Sequence, residues 1–127
     1  MSTINKETIA QESADKWLNL LDRSEYSDSW SEAAPYFQNN ITKEQWQRTL
    51  LGVRQPLGNV LSREIASTQY TTTLPGSPDG EYVVIQYNTS FENKESAVET
   101  VTPMLNQDGR WKALKDTASH IAGYYIT

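Results

Sequence analysis

"EYVVIQYNTSFENKESAVETVTPML", residues 81–105, is the stretch of sequence that decides the fold. Apolar and polar side chains alternate in it with a period of two, which is typical of strands that bury one face. The cluster "ENKES" at 92–96 interrupts the alternation with turn-forming residues. We therefore expect two antiparallel strands, at about residues 81–91 and 97–105, joined by a turn.

The same period of two continues on both sides of this pair of strands. Residues 63–74 and 111–126 have the pattern of two further strands, and the turn-forming clusters "PGSPDG" and "NQDG" separate them from the pair. The chain from about residue 61 to residue 127 therefore predicts a four-stranded antiparallel sheet.

Pairing the strands about their turns predicts which side chains share a face of the sheet. It places Tyr70 opposite Ile85 and Tyr87 opposite Val101. The face that we expect helices to cover contains Ala66, Thr68, Tyr70, Thr72, Val83, Ile85, Tyr87, Phe91, Val101, Pro103 and Leu105. The opposite face has many threonines and little charge: Ser67, Gln69, Thr71, Thr73, Tyr82, Val84, Gln86, Asn88, Thr100, Thr102 and Met104. Such a face is either solvated or half of a dimer interface.

The region of about residues 5–55 has the three- and four-residue spacing of amphipathic helices. A first helix, at about 5–22, has an apolar stripe made of Ala10, Ala14, Trp17, Leu18 and Leu21. A second, shorter helix follows "SEYSD" and includes Pro35, which limits its regularity; its apolar side is Trp30, Ala33, Ala34 and Phe37. A third begins at Thr42, which can form a capping box with Gln45, and ends near Arg54; its apolar side is Trp46, Leu50 and Val53.

Helices followed by an antiparallel sheet are typical of the α+β class, in which the helices pack on one face of the sheet. The length of 127 residues suits a single domain with one modest core. We therefore predict one domain over residues 1–127, with N-terminal helices packed on a curved four-stranded antiparallel sheet.

The charge and the absence of cysteine exclude several classes of function. With 11 Lys and Arg against 16 Asp and Glu, the net charge is −5, which argues against nucleic acid or a membrane surface as a partner. The chain has no cysteine, which excludes disulfides, thiolate metal sites and cysteine nucleophiles. The first residues lack the features of a secretory signal, so we expect the chain as given to be cytoplasmic, or periplasmic or exported if a leader was removed.

Several stretches of the chain are similar to a known bacterial family. "EYSDSWSEAAPYF", "TKEQWQRTLLGVRQPLG", the block "TTTLPGSPDGEYVVIQYNTSFENKESAVETVTPML" and the closing "DGRWKA" and "AGYYI" together resemble domain of unknown function 4019 (DUF4019), over roughly residues 12–127. The resemblance implies a cystatin-like, nuclear-transport-factor-like cone, in which helices pack into the concave side of a curved sheet. The family has no assigned reaction, so the resemblance implies no catalytic residue. Relative to the family, "LKDTASHI" at 114–121 is an insertion between "RWKA" and "AGYYIT", which resemble two parts of one strand.

The single histidine, His120, lies in this insertion and is the first candidate for chemistry. Asp116 lies four residues earlier, but the chain has no second histidine and no cysteine that could complete a metal site. We therefore interpret His120 as a solvent-facing loop residue, and we predict no metal and no cofactor.

Glu99 is the carboxylate that the strand pattern makes most interesting. The predicted register places it beside Thr89 on the helix-covered face, where an unpaired charge would be costly, and Arg54 is its candidate partner. In one interpretation these two residues lie at the open end of the cone and form a ligand pocket with Trp46, Tyr70 and Tyr87. In the other, Glu99 lies at a solvated strand end, Arg54 caps helix carbonyls and the aromatic residues fill the core.

These observations favour a non-catalytic domain that binds a small ligand or a protein partner and forms a homodimer through the outer face of the sheet. An alternative is a small enzyme, an isomerase, dehydratase or hydrolase, with Glu99 as the base and Tyr70 or Tyr87 as the proton donor. A third hypothesis is a structural oligomer without a pocket.

Overall fold

A computed structural model describes residues 3–74, 77–113 and 124–126 of the chain. The described residues form four α-helices: α1 (Thr3–Asp22), α2 (Tyr26–Ser31), α3 (Pro35–Asn40) and α4 (Lys43–Val53), followed by a 3-10 turn at Gln55–Leu57. Six strand segments follow: β1 (Val60–Thr71), β2 (Tyr82–Phe91), β3 (Lys94–Val101), β4 (Pro103–Leu105), β5 (Trp111–Ala113) and β6 (Tyr124–Ile126). The α+β class is confirmed.

All six strand segments belong to one antiparallel sheet. β2 pairs with β1 on one side and with β3 and β4 on the other, while β5 pairs with β4 and β6 pairs with β3. The third predicted strand is therefore two segments that are interrupted at Thr102, and the fourth is also two segments. Trp111–Ala113 of "RWKA" pairs with β4 and Tyr124–Ile126 of "AGYYIT" pairs with β3, whereas the predicted insertion at 114–121, with His120, lies outside the described residues.

The predicted pairing of the strands is displaced by two residues. Tyr70 lies opposite Val83 rather than Ile85, and Tyr87 lies opposite Glu99 rather than Val101. Because side chains alternate between faces with a period of two, a displacement of two keeps each residue on its expected face. The central part of the face assignment therefore survives the error in register.

A β-bulge in β1 breaks the alternation that the sequence suggests. The register shifts between Ile65 and Ser67, so Arg63 and Ile65 lie on the helix side together with Tyr70. Ala66, which we expected on the covered face, is exposed instead. The physical reason is that the extra residue of a bulge reverses the phase of the strand.

The outer face of the sheet is less open than expected. Tyr82, Thr100 and Thr102 are buried, although all three were assigned to the exposed side. The Tyr82 hydroxyl donates a hydrogen bond to the carbonyl of Pro78, so the segment before β2 folds back over this ring. β1 ends at Thr71, and Thr72, expected on the covered face, lies exposed in the bend beyond it.

Local sequence signals explain the helices. The apolar stripe of α1 is buried as predicted. The capping box of α4 also forms, because the Thr42 hydroxyl accepts from the Gln45 amide while the Gln45 side chain accepts from the Thr42 amide. The second predicted helix is two helices, α2 and α3, since Pro35 suits a first helical position and not a helix interior.

The helices and the inner face of the sheet share one core. Its members include Ala10, Ala14, Trp17, Leu18, Leu21, Phe37, Trp46, Leu50, Val83, Ile85, Tyr87 and Val101. Val53, predicted to share the apolar side of α4, is 37% exposed. Within the part of the chain that is described, no helix has the length and apolar character needed to cross a bilayer.

Candidate functional site

The predicted partners Glu99 and Arg54 meet in a buried cluster of four charged side chains. Asp22 ends α1, Arg54 caps the C-terminus of α4, Arg63 lies in β1 next to the bulge, and Glu99 lies in β3. We call these four residues the ionic cluster. It joins both long helices to two strands of the sheet.

The ionic cluster has short contacts around both carboxylates. Arg63 Nε lies 2.7 Å from Glu99 Oε1, and the Arg63 guanidinium donates to both Asp22 oxygens at 2.7 and 3.0 Å. Arg54 Nη2 lies 2.7 Å from Asp22 Oδ1, and its Nη1 lies 3.7 Å from Glu99 Oε2. The Thr89 hydroxyl donates to Glu99 Oε1 at 2.6 Å. The expected Glu99–Arg54 contact therefore exists, but Arg63 is the closer partner of Glu99.

Hydrogen bonds within the ionic cluster favour the charged forms of Asp22 and Arg63. Burial alone would raise the pKa of the Asp22 carboxyl, but hydrogen bonds from Arg63 and Arg54 outweigh burial and lower that pKa below its ordinary value. Burial likewise opposes the charge of Arg63, yet its bonds to Asp22 and Glu99 raise its pKa. The Arg54 guanidinium also lies 5.2 Å from the centre of the Phe91 ring, a cation–π contact. The four charged side chains of the ionic cluster are therefore paired with one another.

The three aromatic residues of the predicted pocket lie in different surroundings. Trp46 is in the core, stacked on Trp17 at 6.0 Å and met edge-on by Phe37 at 5.1 Å. Tyr87 is buried opposite Glu99, and its hydroxyl donates to Asp15 at 2.9 Å. A ligand could reach Trp46 only by displacing the neighbouring rings.

Tyr70 lies at the other end of β1, away from the bulge. Its hydroxyl donates to Glu81 at 2.8 Å, and Lys6 donates to the same carboxylate oxygen at 2.6 Å. The hydrogen bond to Glu81 raises the pKa of Tyr70, and burial together with the bond to Asp15 raises the pKa of Tyr87. The five predicted pocket residues thus form three separate groups: Arg54 and Glu99 with Tyr87 nearby, Trp46 in the core, and Tyr70.

A different concavity lies between α1 and the hairpin that ends in β5. This α1–β5 groove has a volume of about 640 Å³. Its lining is Ile9, Glu12, Ser13, Lys16, Trp17, Asn19 and Leu20 of α1, Arg23 in the turn that follows α1, Glu32, and the stretch from Gly109 to Ala113. Its charged side chains are four basic and two acidic ones, in a chain of net charge −5.

The basic side chains of the α1–β5 groove differ in their pairing. Arg23 is paired with Glu25 at 2.8 Å. Lys16, Arg110 and Lys112 form no ion pair in the described part of the chain. Trp17 and Trp111 line the same groove, so it combines indole rings with cations that no described carboxylate pairs with.

The walls of this groove are joined by two hydrogen bonds to the edge of β5. The Ser13 hydroxyl of α1 donates to the carbonyl of Trp111 at 2.5 Å, and the Ala34 amide donates to the carbonyl of Ala113 at 2.8 Å. These bonds satisfy two carbonyl groups on the outer edge of the sheet. The groove is therefore a fixed feature of the packing of α1 on β5.

A comparison with models of known protein families shows which family the chain belongs to. A family model described as "Protein of unknown function (DUF4019)" matches residues 13–115. The chain belongs to the DUF4019 family. No curated protein and no solved structure matches it.

The DUF4019 match covers the whole ionic cluster and most of the lining of the α1–β5 groove. Among the described residues of this DUF4019 chain, no three His, Cys, Asp or Glu side chains lie close enough together to hold a metal ion.

Sequence reasoning did not find Asp22 and Arg63. Alternation counted back from Tyr70 places Arg63 on the outer face, because the bulge after Ile65 is not visible in the pattern. The one available signal for Asp22 was its position on the turn that follows Leu21, where an acid at a helix C-terminus is unfavourable without a cationic partner.

Proposed function

We propose that this DUF4019 chain is a non-catalytic binding domain, and that the α1–β5 groove is its site for an anionic ligand. The observation that carries the proposal is the set of three cations, Lys16, Arg110 and Lys112, which form no ion pair with any described residue and lie beside Trp17 and Trp111. Ligand sites commonly combine an apolar lining with a few polar groups that fix orientation.

The arrangement at Glu99 supports binding over catalysis. A general base needs a lone pair within reach of its substrate, but Glu99 is fully buried and its Oε1 already accepts from Arg63 and Thr89. The two candidate proton donors, Tyr70 and Tyr87, have raised pKa values and donate to Glu81 and Asp15. The enzyme hypothesis with these residues would require the ionic cluster to open.

The proposal extends to the shape of the domain and its assembly. We propose a cone in which the helices occupy the concave side of the sheet, and a homodimer formed through the outer face. On that face Ser67, Gln69, Gln86 and Asn88 are exposed and uncharged, whereas Glu64, opposite Asn88, is exposed and charged, so the proposed contact centres on Ser67, Gln69 and Gln86, where pairing two copies would strip no ion of its water.

Light scattering tests the dimer. The expected mass is twice that of one chain, and replacing Gln86 by glutamate, which places like charges at the interface, should return it to that of one chain. A mass of one chain for the unaltered protein at high concentration would remove the dimer from the proposal and leave the groove unaffected.

Titration with small anions tests the groove. We expect dicarboxylates with an aromatic or alkyl body to cause saturable shifts in the NMR amide signals of Lys16 and of residues 109–113. The double variant Arg110→Gln, Lys112→Gln should weaken this binding at least tenfold. The matched control is Arg48→Gln, Lys94→Gln, which removes one arginine and one lysine outside the groove and makes the same change in net charge.

A further inference from the structure

The length of the α1–β5 groove indicates the size of its ligand. The groove follows α1 from Ile9 to Arg23. Fourteen steps of helix at 1.5 Å each correspond to about 21 Å. An extended peptide advances about 3.3 Å per residue, so about six residues of extended chain match this length.

The two cations of the β5 wall indicate the spacing of the negative charges on the ligand. Arg110 and Lys112 are two residues apart on either side of the buried Trp111. Side chains two residues apart in an extended chain lie about 7 Å from one another on the same side. Acidic side chains at alternate positions of an extended peptide have the same spacing, and an acidic side chain at an intervening position points to the opposite wall, where Lys16 lies.

The main chain of β5 does not offer a site for an added strand. The outward carbonyl groups of Trp111 and Ala113 already accept hydrogen bonds from Ser13 and from the Ala34 amide. Recognition in this groove must therefore use side chains, namely the cations and the indole rings, and not the backbone pairing of β-augmentation.

From these three observations, and resting on the function proposed above, we infer that the α1–β5 groove receives an extended acidic segment of a partner protein. The segment is about six residues long, with carboxylates at alternate positions toward Arg110 and Lys112 and one at an intervening position toward Lys16. Its intervening apolar side chains lie toward Trp17 and Trp111. Charge complementarity with these three cations, which form no ion pair within residues 3–74, 77–113 and 124–126, identifies the occupant as acidic.

A random hexapeptide display library, selected against the whole chain, tests the inference. Enriched peptides are expected to have Asp or Glu at alternate positions and apolar residues between them. Synthetic copies should lose at least tenfold in affinity for the double variant Arg110→Gln, Lys112→Gln and less than twofold for the control Arg48→Gln, Lys94→Gln. Methylation of the peptide backbone nitrogens should leave binding within about threefold, because no strand pairing is involved.

Three results would overturn the inference. They are selection of peptides without acidic residues, equal affinity for the two double variants, and loss of binding on backbone methylation. If dicarboxylates shift the groove signals while no acidic peptide is selected, the groove binds small anions, so the inference fails and the proposed function stands. If neither class of ligand acts on the groove, both fail.

Discussion

The ionic cluster and the α1–β5 groove both collect basic side chains, but they differ in how these are paired. In the ionic cluster, Arg54 and Arg63 lie within ion-pair distance of Asp22 and Glu99 and are almost fully removed from water. In the groove, Lys16, Arg110 and Lys112 face solvent or half-buried space and form no ion pair with described residues.

This difference separates a structural from a binding role for the same residue types. A buried cation whose partners are all internal has no capacity left for a ligand, and removing one partner leaves a charge in the interior without compensation. An exposed cation without a partner contributes little to folding and keeps its full charge available for a ligand. Mutations in the ionic cluster should therefore lower the free energy of unfolding, whereas mutations in the α1–β5 groove should lower the affinity for the ligand.

The largest effect is expected at the centre of the ionic cluster. Glu99→Gln removes the negative charge that faces Arg63 and Arg54, so the free energy of unfolding should fall by about 3 kcal/mol in urea denaturation. Glu95→Gln, on an exposed position of the same strand, is the control and should change it by less than about 0.5 kcal/mol. A loss below about 1 kcal/mol for Glu99→Gln would show that the cluster is not structurally important.

A smaller loss of folding stability is expected at low pH. The folded-state pKa of Asp22 lies below its ordinary value of 3.8, so the unfolded chain binds the proton more readily and the stabilisation is present above that pH. This stabilisation should be lost as the pH falls below about 3.8 and through the folded-state pKa of Asp22. Asp22→Asn should remove the corresponding fall in the free energy of unfolding. Denaturation curves between pH 2 and pH 6 measure it, with Asp28→Asn on α2 as the control. Parallel pH profiles for the unaltered protein and Asp22→Asn would contradict the prediction.

The smallest effect on stability is expected in the α1–β5 groove. Arg110→Gln, Lys112→Gln removes two cations that have no ion-pair partner in the described part of the chain, so the unfolding free energy should change by less than about 0.5 kcal/mol. The same double variant should weaken the binding of acidic peptides at least tenfold. A destabilisation of about 2 kcal/mol or more would mean that these cations are structural, and would erase the contrast with the ionic cluster.

Prediction from the sequence succeeded where the information is local. The stripe of α1 and the capping box of Thr42 and Gln45 depend on residues three or four positions apart, and both form as expected. The prediction that Glu99 lies on the covered face near Thr89 and Arg54 also agrees with the structure, because a shift of two residues in register preserves the face. The use of Arg54, Glu99, Trp46, Tyr70 and Tyr87 for ligand binding stays a prediction.

The misses have a common physical cause. A single bulged residue in β1 moved Arg63 to the inner face, and the cost of that conformation is set by contacts with β2 and not by its own neighbours in sequence. The sequence around Asp22 did not indicate an ion pair, since both of its arginine partners lie more than thirty residues away in the chain.

The sequence by itself determined the α+β class, the succession of helices and strands, the negative charge and the membership in DUF4019, because each follows from composition or from patterns over a few residues. The tertiary structure alone decided which charges are neutralised and which remain available. Lys16 and Lys112 come to line one groove across a separation of 96 positions only because α1 packs against β5. Pairing of charges depends on distance in space, and sequence periodicity describes only which side of an element a residue occupies.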